Sequence, residues 1–458
     1  MTMRITTCLL CASVIACHTA DIVVGDLQEV AVIRAVPDRD LDLLFVIDNS
    51  PSMADKQVSL AENFRRIIDK LVQLDGGLPN LHIGVVTSDM GTQGSGVATP
   101  GAPIGVLGNG GCAGAGGDGA LAHDGDPQLV RGFLVDVADP ASPGGRLRNY
   151  DGELVDEFAR LAQVGAGGCG FEQHLAAMRR AVSNPANAGF LRPDANLAVV
   201  ILADEDDCSA LDPALFGPDS AALGPLSSFR CFEFGVACDP DAPRTPGDKR
   251  QCKPRTTSTL VEPVAPFVDA LLAVKSDPRK VMVAGIVGDP APVNVELVAP
   301  PGGSPIPALA ASCQFTGPSG AERAAPTVRL AAFLASFPGR TQLTSICDSD
   351  LSSSLDAIGA TAKQLIGDPC IDTTALADSS ADPGVQPACE VTDVRDTAPD
   401  WPTPLAVCAD GAAPADCYRF VSDAVACPAT ADHLRVRLQR TGAVTPDTWT
   451  HVRCQHVW

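Results

Sequence analysis

Apolar residues along the chain follow two rhythms. At Leu41–Ile47, in "LHIGVVTSD" (Leu81–Asp89), in "ANLAVVILADEDD" and at Lys280–Val287 they run almost unbroken, with Asp42 the charged exception inside the first. Short continuous apolar runs of this kind are the pattern of strands buried on both faces. Between them the period lengthens to 3–4 residues. Val58, Ala61, Phe64, Ile67, Ile68 and Leu71 make one stripe along Ala54–Leu74, which predicts a helix. Further helices are expected at Gly152–Gln163, Phe171–Val182, Leu260–Val274, Arg323–Phe337 and Leu351–Ile366, and further strands in "LVRGFLVDVA" and at Thr341–Cys347. Strand alternating with helix from 41 to 366 predicts an α/β domain with a doubly wound, mostly parallel sheet.

Two regions break the alternation. Residues 208–257 hold four Cys among many Pro and Gly, which marks a disulfide-pinned insertion spanning about 205–258. From 367 to 458 the composition shifts to Cys, Pro, Asp and Thr, with six Cys and alternating stretches such as "HLRVRLQR" and "TWTHVRCQ". This is expected to be a small disulfide-rich β module, too poor in apolar residues to hold without its bridges. A Gly-rich loop occupies 91–119.

The N-terminus changes the picture of where the chain works. Arg4 precedes an apolar run, Ile5 to Ala16, that is too short to span a bilayer, so residues 1–16 are expected to be an export signal. The ending "VIAC" resembles a bacterial lipobox, which implies cleavage before Cys17, lipidation of that Cys and a lipid-anchored surface or outer-membrane protein; an ordinary signal peptide and a periplasmic or secreted product are the alternative. Residues 17–40 would then be a linker. Of 17 Cys, setting aside Cys8, Cys11 and Cys17 leaves fourteen between Cys112 and Cys454, an even number that suits up to seven disulfides in an oxidising compartment. Spacing suggests Cys238–Cys252, Cys408–Cys417, Cys427–Cys454 and Cys112–Cys169, although spacing alone does not determine pairing.

Net charge is -22, which argues against nucleic acid as a partner. GxSxG, HExxH and GxxxxGK[ST] are absent, and the two GxGxxG matches, Gly114–Gly119 and Gly165–Gly170, follow no clear strand. No enzymatic activity is expected. His174, within an expected helix, reads as a surface or boundary residue.

The chemistry gathers at two strand ends, "FVIDNSPS" and "VVILADEDD". In open α/β sheets ligands collect at the carboxyl ends of the strands. Asp48, Ser50 and Ser52 alternate in the turn after one strand, and Asp204 ends another. These are hard oxygen donors suited to Mg²⁺ or Ca²⁺. No Lys or Arg is expected to offset the repulsion between Asp48 and Asp204. The run Glu205, Asp206 and Asp207 reads as a solvated turn in preference to a second cation site.

Asp48, Ser50 and Ser52 before an amphipathic helix, with Asp204 later, resemble the DxSxS signature and second Asp of the von Willebrand factor A domain. The resemblance covers about 41–366 and implies a metal-ion-dependent adhesion site. There the two Ser hydroxyls hold Mg²⁺ (or Ca²⁺ or Mn²⁺) with the Asp residues, and a carboxylate of a protein or surface partner completes the shell. One departure stands out: where the family adds a Thr hydroxyl, "GAGGCGFEQHL" has Cys169 and Gly170. Either water replaces the hydroxyl, or Glu172 reaches in, or the site is weakened. The implied function is cation-dependent binding of a partner. A structural envelope protein using the fold as scaffold is the alternative, and an exported metal-dependent hydrolase a third.

The mature protein is expected to begin at a lipidated Cys17. Mass spectrometry of protein purified from its host should find the acylated Cys17 as the first residue; an unmodified start elsewhere refutes it.

Overall fold

The computed structural model describes residues 24–34 and 39–457, apart from 75–76, 123–128, 130–131, 143, 300–302, 318–319, 368–369, 380–385, 410–414, 425–426, 428–429, 431, 443 and 446. The signal segment and Cys17 lie outside the described residues. The chain forms two compact units, one of residues 36–369 and one joining the N-terminal segment to 370–458.

The larger unit is built on seven strands: β1 (Asp40–Ile47), β2 (Asn80–Thr87), β3 (Phe133–Ala138), β4 (Arg146–Arg148), β5 (Asn196–Ala203), β6 (Val281–Val287) and β7 (Thr341–Ser345). Their order across the sheet is β7-β6-β5-β1-β2-β3-β4. The strands from β7 to β2 are parallel, and β3 and β4 add an antiparallel edge. This is the doubly wound, largely parallel sheet expected of a von Willebrand A-like fold.

Side-chain alternation explains why β1 reads as continuously apolar. Leu41, Leu43, Phe45 and Ile47 enter one core, while Leu44 and Val46 enter the other. On the first face pack α1 (Ala54–Asn63), α2 (Arg65–Leu71), α3 (Leu154–Ala162) and α7 (Ser352–Ile366); on the second, α4 (His174–Ser183), α5 (Ala265–Leu272) and α6 (Val328–Ala335). The single helix expected over 54–74 is two, joined at Phe64, whose ring stacks on Phe158 at 3.7 Å between centroids. The helix expected from Arg323 begins instead at Val328, because Gly320–Ala324 pairs with Cys313–Gly317 as a hairpin.

Asp42, on the α4–α6 face, is fully buried. Arg192 Nε donates to its Oδ1 at 2.8 Å and Lys275 Nζ lies 3.2 Å from Oδ2. A buried carboxylate is tolerated only with such partners.

The second unit holds two four-stranded sheets. One orders Val24–Arg34, Thr448–Val457, Cys389–Arg395 and Ala398–Pro404; the other Cys370–Ile371, Leu434–Gln439, Cys417–Ser422 and Ala406–Val407. Residues 24–34, expected within a linker, are therefore a strand, paired antiparallel with the C-terminal strand. The cause is remote, since its partner lies more than four hundred residues away: Glu29 sits opposite Arg453.

All fourteen Cys pair. Cys112–Cys169, Cys238–Cys252 and Cys408–Cys417 form as spacing suggests. Cys427 does not bond Cys454; it bonds Cys370, and Cys454 bonds Cys389. Cys389 and Cys454 face each other across paired strands, and strand register outranks sequence proximity. Cys208–Cys231 and Cys313–Cys347 complete the set.

Breaking Cys389–Cys454, whose partners are 65 residues apart, by paired Ser substitution should destabilise the small unit by about 4 kcal/mol on the loop-entropy relation. Guanidinium unfolding followed by Trp fluorescence checks this, and an unchanged midpoint shows that the strands hold without the bridge.

Candidate functional site

Strand order creates the site. The chain leaves β1 toward β2 on one side, while β5 flanks β1 on the other, so the carboxyl ends of β1 and β5 diverge at a switch point. Ile47 is in register with Leu202, and Asp48 N donates to Leu202 O at 2.9 Å. The residues that follow each strand, Asp48 and Asp204, are thereby held side by side.

Asp48 is fully buried. Its Oδ1 accepts from Ser50 N at 2.7 Å, which turns the backbone so that Ser50 and Ser52 point the same way, their hydroxyl oxygens 3.2 Å apart. Gln57 Nε2, from α1, donates to Asp48 O at 2.9 Å and to Gly165 O at 2.8 Å. Asp48 Oδ2 and Asp204 Oδ1 are both buried and have no hydrogen-bond partner among the described residues. Burial and the neighbouring Asp48 charge push the Asp204 carboxyl up to about 6, against the opposing pull of Lys56 and Ser52.

Lys56 corrects the expectation that no cation offsets these acids. It lies on α1, one helical turn after Ser52, and is almost fully buried. Its Nζ is 3.3 Å from Asp204 Oδ2, donates to Ser52 O at 3.2 Å, and pairs with Glu322 on the Cys313–Ala324 hairpin. Burial draws its ammonium down, but Asp204 and Glu322 together leave it above its ordinary value.

The loop before α4 closes a third side. Cys169 is consumed by its bond to Cys112, so it offers no free donor to the site. Gly168 N donates to Asn49 O at 2.8 Å, and a Cβ at 168 would stand 2.2 Å from Asn49 Oδ1, so glycine permits this approach. Glu172 is almost fully buried, and burial together with Glu205 and Asp48 raises its carboxyl well above the carboxylate range. His174 also corrects its reading as a boundary residue. It is fully buried, with Nε2 3.8 Å from Asp48 Oδ2. Burial lowers the imidazole, but Asp48, with Asp207 and Asp206 behind it, leaves the net shift upward. The one sequence cue was its position opening a helix beside Glu172.

The acidic run after Asp204 is not a solvated turn. Asp206 accepts from the backbone N–H groups of Arg329 and Leu330 at the start of α6. Asp207 accepts from Leu175 N at the start of α4 at 2.9 Å and pairs with buried Arg329, also at 2.9 Å. Both are helix caps, placed where a carboxylate meets unpaired N–H groups and the positive end of the helix dipole. Glu205 points elsewhere. Burial, Asp204 and Asp48 push it up to about 7.

Among the described residues no group of three or more His, Cys, Asp or Glu forms a metal cluster. Asp48 and Asp204 lie side by side after their strands, and the Ser50 and Ser52 hydroxyls are 3.2 Å apart in the turn beside them.

No protein-family model and no curated protein matches the chain. Among solved structures it is similar to a von Willebrand factor type A protein from Catenulispora acidiphila, at 11% identity over 95% of this chain and 67% of that one, with a TM-score of 0.27. It is similar also to the pilus adhesin SpaC from Lactobacillus rhamnosus GG, at 8% identity over 95% of this chain and 42% of that one, TM-score 0.30. A third is the pilus adhesin RrgA from Streptococcus pneumoniae, at 12% identity over 94% of this chain and 58% of that one, TM-score 0.26. The chain thus spans only about half the length of either adhesin. At these scores the fold statement rests on the strand order of the sheet.

The raised acids give a pH dependence. Asp204 is near 3.8 when unfolded and about 6 when folded, so between those values the folded state binds more protons and stability falls as pH rises. The share of Asp204 is on the order of 2–3 kcal/mol. In chelator, denaturant midpoints should fall more steeply from pH 4.5 to 7.5 for wild type than for Asp204→Asn; equal slopes refute the assignment.

Proposed function

We propose that this is an exported binding protein whose α/β unit recognises a protein or surface partner through a divalent cation at Asp48, Ser50, Ser52 and Asp204. One observation carries the reading: Asp48 Oδ2 and Asp204 Oδ1 are buried, lack hydrogen-bond partners among the described residues, and stand beside a pair of hydroxyls. Buried carboxylate oxygens without donors are costly, and a hard cation bound by oxygens removes that cost. The donor set suits Mg²⁺ first, with Ca²⁺ or Mn²⁺ as substitutes. The cation would supply an electrophilic point for a carboxylate of the partner. Ser50 and Ser52 would hold it directly, Asp48 would orient Ser50 through the backbone bond, and Asp204 would add the second charge. Glu172, buried beside Asp48, would take the role that Cys169 cannot fill.

Seven disulfides support export to an oxidising compartment, and a lipid anchor at Cys17 would hold the protein at the outer membrane or cell surface. Among the described residues no helix is long and apolar enough to cross a membrane. One observation favours the scaffold alternative: Lys56 already neutralises Asp204, so a cation must compete with an internal ammonium.

Thermal unfolding across a Mg²⁺ and Ca²⁺ titration separates the two. Wild type should gain about 2.7 kcal/mol at a hundredfold excess of cation over its Kd, and Asp48→Ala should lose that gain while keeping its fold. A wild-type midpoint that neither ion raises at millimolar concentration leaves the scaffold reading standing.

A further inference from the structure

A cavity of about 270 Å³ opens beside the cation site. Its walls include Phe229, Phe232, Val298 and Leu309, and its polar groups include Glu205 and Ser227. We propose that this cavity receives a primary ammonium on an apolar stem, the form of a lysine side chain presented by a protein partner.

The polar inventory points to a cation. Glu205 follows Asp204 directly in sequence, yet among the described residues no Lys or Arg pairs with it, whereas Lys56 serves Asp204 and Arg329 serves Asp207. The Ser228 hydroxyl is a side-chain donor to it. Ser227 Oγ is buried and has no hydrogen-bond partner among the described residues. A carboxylate and a hydroxyl in the lining offer acceptors to a compact three-donor ammonium. The planar fork of a guanidinium instead prefers a bidentate carboxylate facing it squarely. Asp206, already bonded to α6, and Ser228 also line the cavity, and Phe229, Phe232, Val298 and Leu309 supply aromatic and aliphatic surface that suits the four-carbon stem lysine buries while its head finds polar partners. Asp204 and Asp48 deepen the negative field around Glu205.

The cavity is also built before any ligand arrives. Cys208–Cys231 ties the helix Phe229–Gly235 to the segment that carries Glu205. Asp206 and Asp207 fix that segment to α6 and α4. A preformed pocket of this kind loses little entropy on binding.

The test uses the full chain in excess chelator, so that it does not depend on the cation site. Its probes are Nα-acetyl-lysine methylamide and the norleucine counterpart, which keeps the stem and lacks the ammonium. Binding is read by saturation-transfer NMR titration. The lysine probe should bind at least fivefold tighter than the norleucine probe, and Glu205→Gln should reduce it to the norleucine level. Leu309→Trp, which fills the cavity, should abolish both. Equal affinity for the two probes, binding indifferent to Glu205→Gln, or no binding of either probe overturns the proposal; circular dichroism confirms that each variant is folded. Failure of Mg²⁺ to stabilise the protein would refute the cation reading alone, and failure here would leave that reading untouched.

Discussion

The structure turns on the cost of gathering carboxylates where water is excluded. Asp48, Glu172, Asp204, Glu205, Asp206 and Asp207 come together at the ends of β1 and β5 and in the loop before α4, and every one that shows a resolved shift is raised. Like charges in a low-dielectric site repel strongly, so each needs a counterpart. Asp206 and Asp207 find theirs in helix N-termini and in Arg329, and Asp204 finds a partial one in Lys56. The oxygens left over, Asp48 Oδ2 and Asp204 Oδ1, stay buried without a hydrogen-bond partner among the described residues.

That frame is rigid because different devices hold its sides. Backbone bonds tie β1 to β5, Asp207 caps α4, and two disulfides anchor the loops. Cys112–Cys169 fixes the loop before α4 to the Gly-rich segment, and Cys208–Cys231 fixes the insertion. Cys169 serves there as a covalent strut.

The proposed cation site and the cavity adjoin through one peptide bond, between Asp204 and Glu205. A partner carrying a carboxylate and, a few residues away, a lysine would match both features in one segment. Lys56 gives the arrangement an internal competitor: an ammonium already in contact with Asp204 and Glu322 that any divalent cation must displace or accommodate.

Local sequence determined what depends on local pattern. The continuous apolar runs of β1, β5 and β6 announced strands buried on both faces, and the 3–4 residue stripes announced the helices between them. Asp48, Ser50 and Ser52 were legible because a turn places alternate residues together, and Asp204 because it ends an apolar run. Tertiary structure decided the rest, since it depends on residues that are distant in the chain. Nothing near Val24–Arg34 names its partner at 448–457, and nothing near Cys454 selects Cys389 over Cys427. His174 looked peripheral because a helix stripe shows which face is apolar and not that Asp48 waits behind it. Lys56 was within eight residues of Asp48, yet its charge reaches Asp204 only because α1 folds back over the end of β5. Burial, which turns a string of acids into helix caps and raised carboxyls, is a property of the packed sheet and helices, and no stretch of the chain carries it alone.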